Sequence, residues 1–261
     1  MLPALWVAKT GLSAQDMNLT TISNNLANVS TTGFKRDRAE FEDLLYQIRR
    51  QPGGQSSQDS QLPSGLQLGT GVRINGTQKI FTAGSLQTTE QPMDMAVNGR
   101  GFFQVLMPDG TVSYTRDGSF HLNSNGQVVT SQGFALEPAI VLPPEVRTFT
   151  VGEDGTASVT TTGNPQPQVV GNLQIADFIN PGGLEAIGNN LFLETASSGA
   201  PQVGTPGLNG LGTTLQNTLE NSNVSVVEEM VNMITTQRAY EMNSKVISTA
   251  CLLYTSPSPR D

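Results

Sequence analysis

The sequence has little of what most enzymes and disulfide-stapled secreted modules are built from. It has one cysteine, Cys251, in 261 residues, so no disulfide can close within the chain. It has one histidine, His121, and any Ser-His-Asp arrangement would have to use that ring. His121 stands between Phe120 and Leu122 in an alternating run. That predicts a strand position facing opposite its neighbours, toward a polar partner or water. Charge is sparse: 14% of residues are Asp, Glu, Lys or Arg, against about 25% in ordinary domains. The 14 basic and 22 acidic residues leave a net charge of −8, which disfavours a broad nucleic-acid footprint. Aromatics make up 6%, too few to favour a sugar-stacking cleft. No apolar run approaches the length of a bilayer span, so no membrane insertion is expected. The start, MLPALWVAKTGLSAQ, lacks a cationic head, an apolar run and a small-residue cleavage site, so no conventional signal peptide is expected.

Motifs that carry chemistry are missing as well. There is no HExxH, no cysteine cluster and no GxxxxGK[ST]. NGRGFF at 98–103 and LNGLG at 208–212 contain glycines but neither completes GxGxxG. Asp59, Asp94, Asp109, Asp117 and Asp154 are scattered, mostly beside glycine, as hairpin turns require. Neither catalytic residues nor a cofactor or metal is expected. Paired carboxylates for glycoside hydrolysis stay open, because separation in space is invisible in a linear sequence.

What replaces the missing charge is Asn, Gln, Ser, Thr and Gly. Such a surface costs little to desolvate against a like surface, since few ions must lose their water. That favours repeated subunit contacts, and it also fits a secreted or fibrous protein.

The clearest periodic signal lies at 3–29. Leu5, Leu12, Leu19 and Leu26 recur every seven residues, and Ala8, Gln15, Ile22 and Val29 fill the second position of the same heptad. This predicts a long helix with an apolar seam, in a first segment 1–30. A helix packed on its own domain is the alternative use of the same stripe. Asn28–Gly33 should end it, with Gly33 free to turn left-handed. FKRDRAEFEDLLYQIRR follows, and in it Phe34, Phe41, Leu44, Leu45 and Ile48 suggest a short amphipathic segment. Residues 51–71, rich in Gly, Pro, Ser and Gln, read in isolation as a loop or linker, so 31–71 is taken as a connecting segment.

From 72 to 198 the period changes to two. Short β-type runs are punctuated by Asp109-Gly110, Asp117-Gly118, Asn125-Gly126 and Asp154-Gly155, which predicts antiparallel hairpins in a β-rich middle domain able to fold alone. Pro138, Pro143, Pro144, Pro165, Pro167 and Pro181 exclude long central strands across their own positions. Residues 199–224 begin as a Gly/Pro-rich return segment. At 225–250 helical spacing resumes, with Val226, Met230, Met233, Gln237, Tyr240, Ser244 and Ile247 on one track and Val227, Ile234, Met242, Val246 and Ala250 widening it. Ser225 and Glu228 suit a capping box. A lone amphipathic helix is marginal in water, so the two stripes should be buried by pairing, by neighbouring subunits, or by both. The ending, CLLYTSPSPRD, resembles sequencing-adaptor read-through, so 251–261 is expected to be foreign and the native helix cut near Ala250.

Four blocks carry a family resemblance: ISNNLANVSTTGFKR (22–36), MAVNGRGFFQV (95–105), YTRDGSFHLNSNGQVVTSQGFAL (114–136) and LENSNVSVVEEMVNMITTQRAYEMNSKVI (219–247). The first is the most specific, through Asn24, Asn25, Leu26, Ala27, Asn28, Gly33, Phe34 and Lys35. On these residues the chain resembles the flagellar basal-body rod and hook protein family. The segment 41–72, with Tyr46, Gln51, Pro52, Gly53, Leu62 and Pro63, is similar to an insertion of the distal-rod branch.

The resemblance implies a mixed α and β fold, with the terminal helices in a coiled-coil-like unit and an outward antiparallel β-rich domain. It implies a structural subunit of a stiff helical tube that crosses the periplasm and transmits torque to the hook. The helices would self-associate through Leu5, Leu12, Leu19, Ile22, Leu26, Val29, Val226, Met230, Met233, Tyr240 and Ile247. Residues 46–63 would form an extended feature tied to straightness. Implied partners are proximal rod proteins below, hook or hook-junction proteins above, the peptidoglycan-level and outer-membrane rings, and the flagellar type III export apparatus. The alternative is a secreted adhesin or fibre-like β protein with helical multimerisation ends.

Overall fold

The structure is a computed structural model that describes residues 3–52, 55–57, 60–61, 63–162 and 164–255. The chain divides into two compact units. The first gathers the residues up to Leu26, Asp37–Gln78 and the chain from Ser225 onward; the second gathers Ala27–Arg36 and Lys79–Val224.

In the first unit α1 runs Pro3–Ala27 and α2 runs Val226–Thr255. The first turn of α2 opens with the Glu229 amide bonded to the Ser225 carbonyl at 3.0 Å. Strand β1 (Asp37–Asp43) pairs with β6 (Val72–Lys79). Between them β2 (Tyr46–Arg50), β3 (Gln55–Ser57), β4 (Ser60–Gln61) and β5 (Leu66–Gly69) pair outside with outside and inside with inside. The Gly/Pro/Ser/Gln-rich stretch that reads as a loop therefore carries β3 on the outgoing arm and β4 and β5 on the return arm of a long hairpin, with Gln47 opposite Leu68 and Ile48 opposite Gln67. The amphipathic segment after Phe34 is extended, in β1 and β2. Thr10 fixes the hairpin base to α1: its hydroxyl accepts the Val72 amide, and a Cβ at Gly71 would stand 2.2 Å from it.

The second unit holds β7 (Leu86–Thr88), β8 (Met95–Asn98), β9 (Phe102–Leu106), β10 (Val112–Thr115), β11 (Phe120–Leu122), β12 (Val128–Thr130) and β13 (Ala135–Glu137). It continues with β14 (Val146–Val151), β15 (Thr156–Thr161), β16 (Asn164–Asn172), β17 (Ile175–Asp177), β18 (Glu185–Gly188), β19 (Leu191–Leu193), β20 (Gln202–Gly204), β21 (Thr213–Gln216) and β22 (Thr218–Glu220). A nine-stranded sheet runs β11-β12-β13-β9-β10-β19-β18, with β17 bonded to both β9 and β20. A three-stranded sheet runs β14-β15-β16. Pro165 and Pro167 lie in β16, at the edge of that sheet, where a missing N–H breaks no ladder.

Alternation along β9 builds two cores from one strand. Phe103 joins Met95, Phe120, Leu136, Phe149 and Ile175 on one face. Phe102 joins Tyr114, Phe178, Leu184 and Phe192 on the other. Edge-to-face ring pairs lock both, Phe103 with Phe120 at 5.2 Å and Tyr114 with Phe178 at 4.8 Å.

Candidate functional site

Two features stand out from this framework: the surfaces of the terminal helices, and the segment that follows α1. In the helical unit, polar and small residues meet one heptad apart, in opposite directions along the two helices. Asn25 donates to Glu229 at 3.4 Å. Asn18 donates to the Thr236 hydroxyl at 3.1 Å. A Cβ at Gly11 would stand 3.0 Å from the Asn243 amide nitrogen. The helices are thus antiparallel where they touch.

The leucine stripe flanks this seam. Ile22 is buried; Leu5, Leu12, Leu19, Leu26, Val29, Met233, Tyr240 and Ile247 are half-buried; Val226 and Met230 are exposed. The larger apolar side chains in the open include Trp6, Val7 and Met17 on α1 and Val227, Val231, Ile234, Met242 and Val246 on α2. Of these, Trp6, Val7, Met17 and Val231 are absent from the tracks read in the sequence. On the hairpin Leu45, Tyr46, Ile48, Leu66 and Leu68 are exposed too. Pro3, Trp6 and Val7 line a groove of about 290 Å³ with Gln47, Leu68, Gly69 and Thr70. Gln51, Pro52 and Pro63 are exposed, whereas Gly53 and Leu62 lie outside the described residues.

The family motif divides between the units. Asn25, buried, donates to the Asp37 carbonyl at 2.8 Å and accepts the Asp37 amide at 2.9 Å, which fastens β1 to the last turn of α1. Asn24 and Ala27 are exposed, and Asn28 accepts from the Thr31 hydroxyl at 3.2 Å. Gly33 holds φ +69°, and a Cβ there would stand 2.6 Å from the Asp117 nitrogen. An L side chain would therefore meet both the left-handed penalty and a backbone wall. The Gly33 amide donates to the Glu220 carbonyl at 2.8 Å, and the Phe34 carbonyl accepts from Asn223.

Lys35 ends this segment in a buried ion cluster. Its Nζ lies 2.5 Å from Glu220 Oε1 and 2.8 Å from the Thr82 carbonyl. Arg116 Nη1 reaches Glu220 Oε2 at 3.2 Å, and its Nη2 reaches the Gly99 carbonyl at 2.6 Å. The guanidinium stands over the Phe102 ring. Burial pushes the Lys35 pKa down from 10.5, Glu220 pulling it partly back; burial likewise lowers that of Arg116. Glu220, Arg116 and Asn223 carry no motif chemistry in the sequence, and only their place in the family blocks hinted at them.

Nothing in this arrangement activates a nucleophile. His121 is exposed in β11, opposite Val129. Asp109, Asp117 and Asp154 bond the residue two places on, Thr111, Ser119 and Thr156, which is how Asx turns are closed. Among the described residues no three His, Cys, Asp or Glu side chains are placed to share a metal ion. Among the described residues no helix is long and apolar enough to cross a membrane.

Three family models match: Flagella basal body rod protein over 5–35, Flagellar hook protein FlgE/F/G D1 domain over 96–159, and Flagellar basal body rod FlgEFG protein C-terminal over 215–250. The chain is 56% identical over 250 residues to a Flagellar basal-body rod protein FlgG of Buchnera aphidicola, 96% of each chain being covered. It is 49% identical over 248 residues to the FlgG of Caulobacter vibrioides, covering 95% of each. A Flagellar hook protein FlgE of Helicobacter mustelae is 40% identical over 144 residues, which cover 52% of this chain and 30% of that one. These relatives do not favour the adhesin alternative. Full-length likeness at both helices and through the β unit makes the chain a member of the flagellar basal-body rod protein FlgG family, whose members are structural proteins and not enzymes.

Proposed function

We propose that the chain is a distal-rod subunit of the bacterial flagellum. It polymerises through its terminal helices into a stiff helical tube that crosses the periplasm and passes torque to the hook. The observation that carries this reading is the row of exposed apolar side chains on α2, from Val226 to Val246. Each such side chain taken out of water contributes roughly 1.5–3 kcal/mol, and sister copies offer the repeated surface to do it. A heterologous contact whose rotation does not close a ring extends into a helical filament. The seven-residue stepping of Gly11, Asn18 and Asn25 against Asn243, Thr236 and Glu229 supports a coiled-coil-like pair as the building block.

In this reading the leucine stripe and its α2 counterpart, Met233, Tyr240 and Ile247, belong to the assembling surface. The hairpin from Tyr46 to Gly69 resists sliding between neighbours. Proximal rod proteins below, hook or hook-junction proteins above, the surrounding rings and the export apparatus are the partners. Leu19→Asp puts a carboxylate on the stripe. It should abolish rod assembly and motility while leaving the β unit folded, as judged by rod-fraction blots and by circular dichroism of the purified chain. Normal motility in that strain would contradict the proposal.

A further inference from the structure

The chain passes between its two units at 26/27, 36/37, 78/79 and 224/225. Within the β unit, the segments next to those passages converge on the buried ion cluster. Lys35 comes from the first connector, the Thr82 carbonyl and Gly84 amide from the second, and Glu220 from the return strand. Asn223, three residues on, accepts the Arg36 amide at 2.8 Å and donates to the Ile80 carbonyl at 2.7 Å. Lys35 and Glu220 are 185 positions apart, and Arg116 and Glu220 are 104 apart.

The charges in this cluster do not balance. Two buried cations share one bonded carboxylate, with Asp177 acting on Arg116 from further away. Lys35, Arg116 and Glu220 are each at most 4% exposed. A buried ion left without its counter-ion is strongly unfavourable. Until Glu220 arrives, therefore, Lys35 and Arg116 repel each other and both do better in water. The connector carrying Lys35 then has no stable seat.

We propose that Glu220 is a closure latch. The return strand brings the anion that allows Lys35 and Arg116 to be buried together, so the roots of both terminal helices are set only when the two ends of the β unit have met. A chain that has not placed its return strand would thus present neither helix root correctly to a second copy. That consequence rests on the assembly reading above, whereas the latch itself does not.

The test is hydrogen exchange on the purified full chain, comparing native protein with Glu220→Gln. Amides of 28–36 and 80–84 should exchange about tenfold faster or more in the variant, while those of β9 and β10 keep their protection, as expected for local rather than global opening. Unchanged exchange at 28–36 would overturn the latch, and so would an equal rise throughout β9 and β10. Should Glu220→Gln fail to fold, Lys35→Met decides. It leaves a balanced Arg116–Glu220 pair, and it should loosen 28–36 while leaving 218–224 as in the native chain. Native-like protection of 28–36 in Lys35→Met would equally refute the proposal. A strain with loosened connectors that still builds rods would leave the latch standing and refute only its consequence for assembly.

Discussion

Lys35 is fully buried, and burial outweighs the pull of Glu220 on its titration. Its pKa in the folded chain is below 10.5, and in the unfolded chain it returns to the ordinary lysine range. Between those two values the unfolded chain holds more protons. Stability contributed by this group therefore rises with pH across that window, and below the folded value the full penalty of the buried charge is present. The stability of native protein minus that of Lys35→Met should thus increase as pH climbs toward 10.5. Denaturant unfolding at a series of alkaline pH values measures it; a difference that stays flat or falls would show that Glu220 governs the lysine more strongly than burial does. A methionine of similar length would fill the same space with no charge to bury, but it would give up the bonds to Glu220 and the Thr82 carbonyl that hold the connector.

Among the elements, the hairpin β2–β5 has the largest mismatch between its composition and its setting. A two-stranded ribbon is marginally stable in water, and this one leaves Tyr46, Ile48, Leu66 and Leu68 exposed. Its base is held by Thr10, but the ribbon beyond needs neighbours to cover it. Deleting Gln47–Pro63 should therefore spare the subunit and alter the polymer, giving curved or less stiff tubes under electron microscopy. Straight, stiff tubes from that deletion would remove the hairpin from the account of rigidity.

The element scale is also where the sequence reads best and worst. Asp109-Gly110, Asn125-Gly126 and Asp154-Gly155 each connect paired strands, β9 to β10, β11 to β12 and β14 to β15. Asp117-Gly118 looks identical on paper but closes no hairpin. Gly118 is there because a Cβ would fall 1.4 Å from the Met95 carbonyl oxygen, a long-range packing constraint that local turn chemistry cannot reveal. The β18–β19 turn is made by Asn189 and Asn190 at φ 56° and 58°, with no Asx-Gly pair to announce it. Hydrophobic periodicity found both helices, yet it is blind to a polar seam. Gly11, Asn18 and Asn25 sit one residue before Leu12, Leu19 and Leu26, so the leucines draw the eye while their neighbours make the helix-to-helix contacts. The ion cluster was out of reach for a different reason: its members are spread over 185 positions and no local pattern links them.

At the scale of the whole molecule the question is which force would hold copies together. The β unit keeps two apolar cores of its own, so association has no need to complete its fold. The helical unit exposes large apolar side chains, on its two helices from Val7 at 39% to Val227 at 74%. Charges are few, and a net charge of −8 acts against association between identical copies. Exposed ion pairs contribute about 0–1 kcal/mol each and are screened by salt. Apolar burial is several-fold larger per side chain, so it should dominate. Polymerisation of the purified chain should then be nearly indifferent to sodium chloride, or be mildly helped as the shared negative charge is screened. It should strengthen in sulfate and weaken on cooling, as apolar association does. Sedimentation or light scattering across salt and temperature measures this directly. Tubes that dissolve in moderate sodium chloride yet survive cooling would assign the contact to ion pairs instead, and the exposed faces of α1 and α2 would lose their place in it.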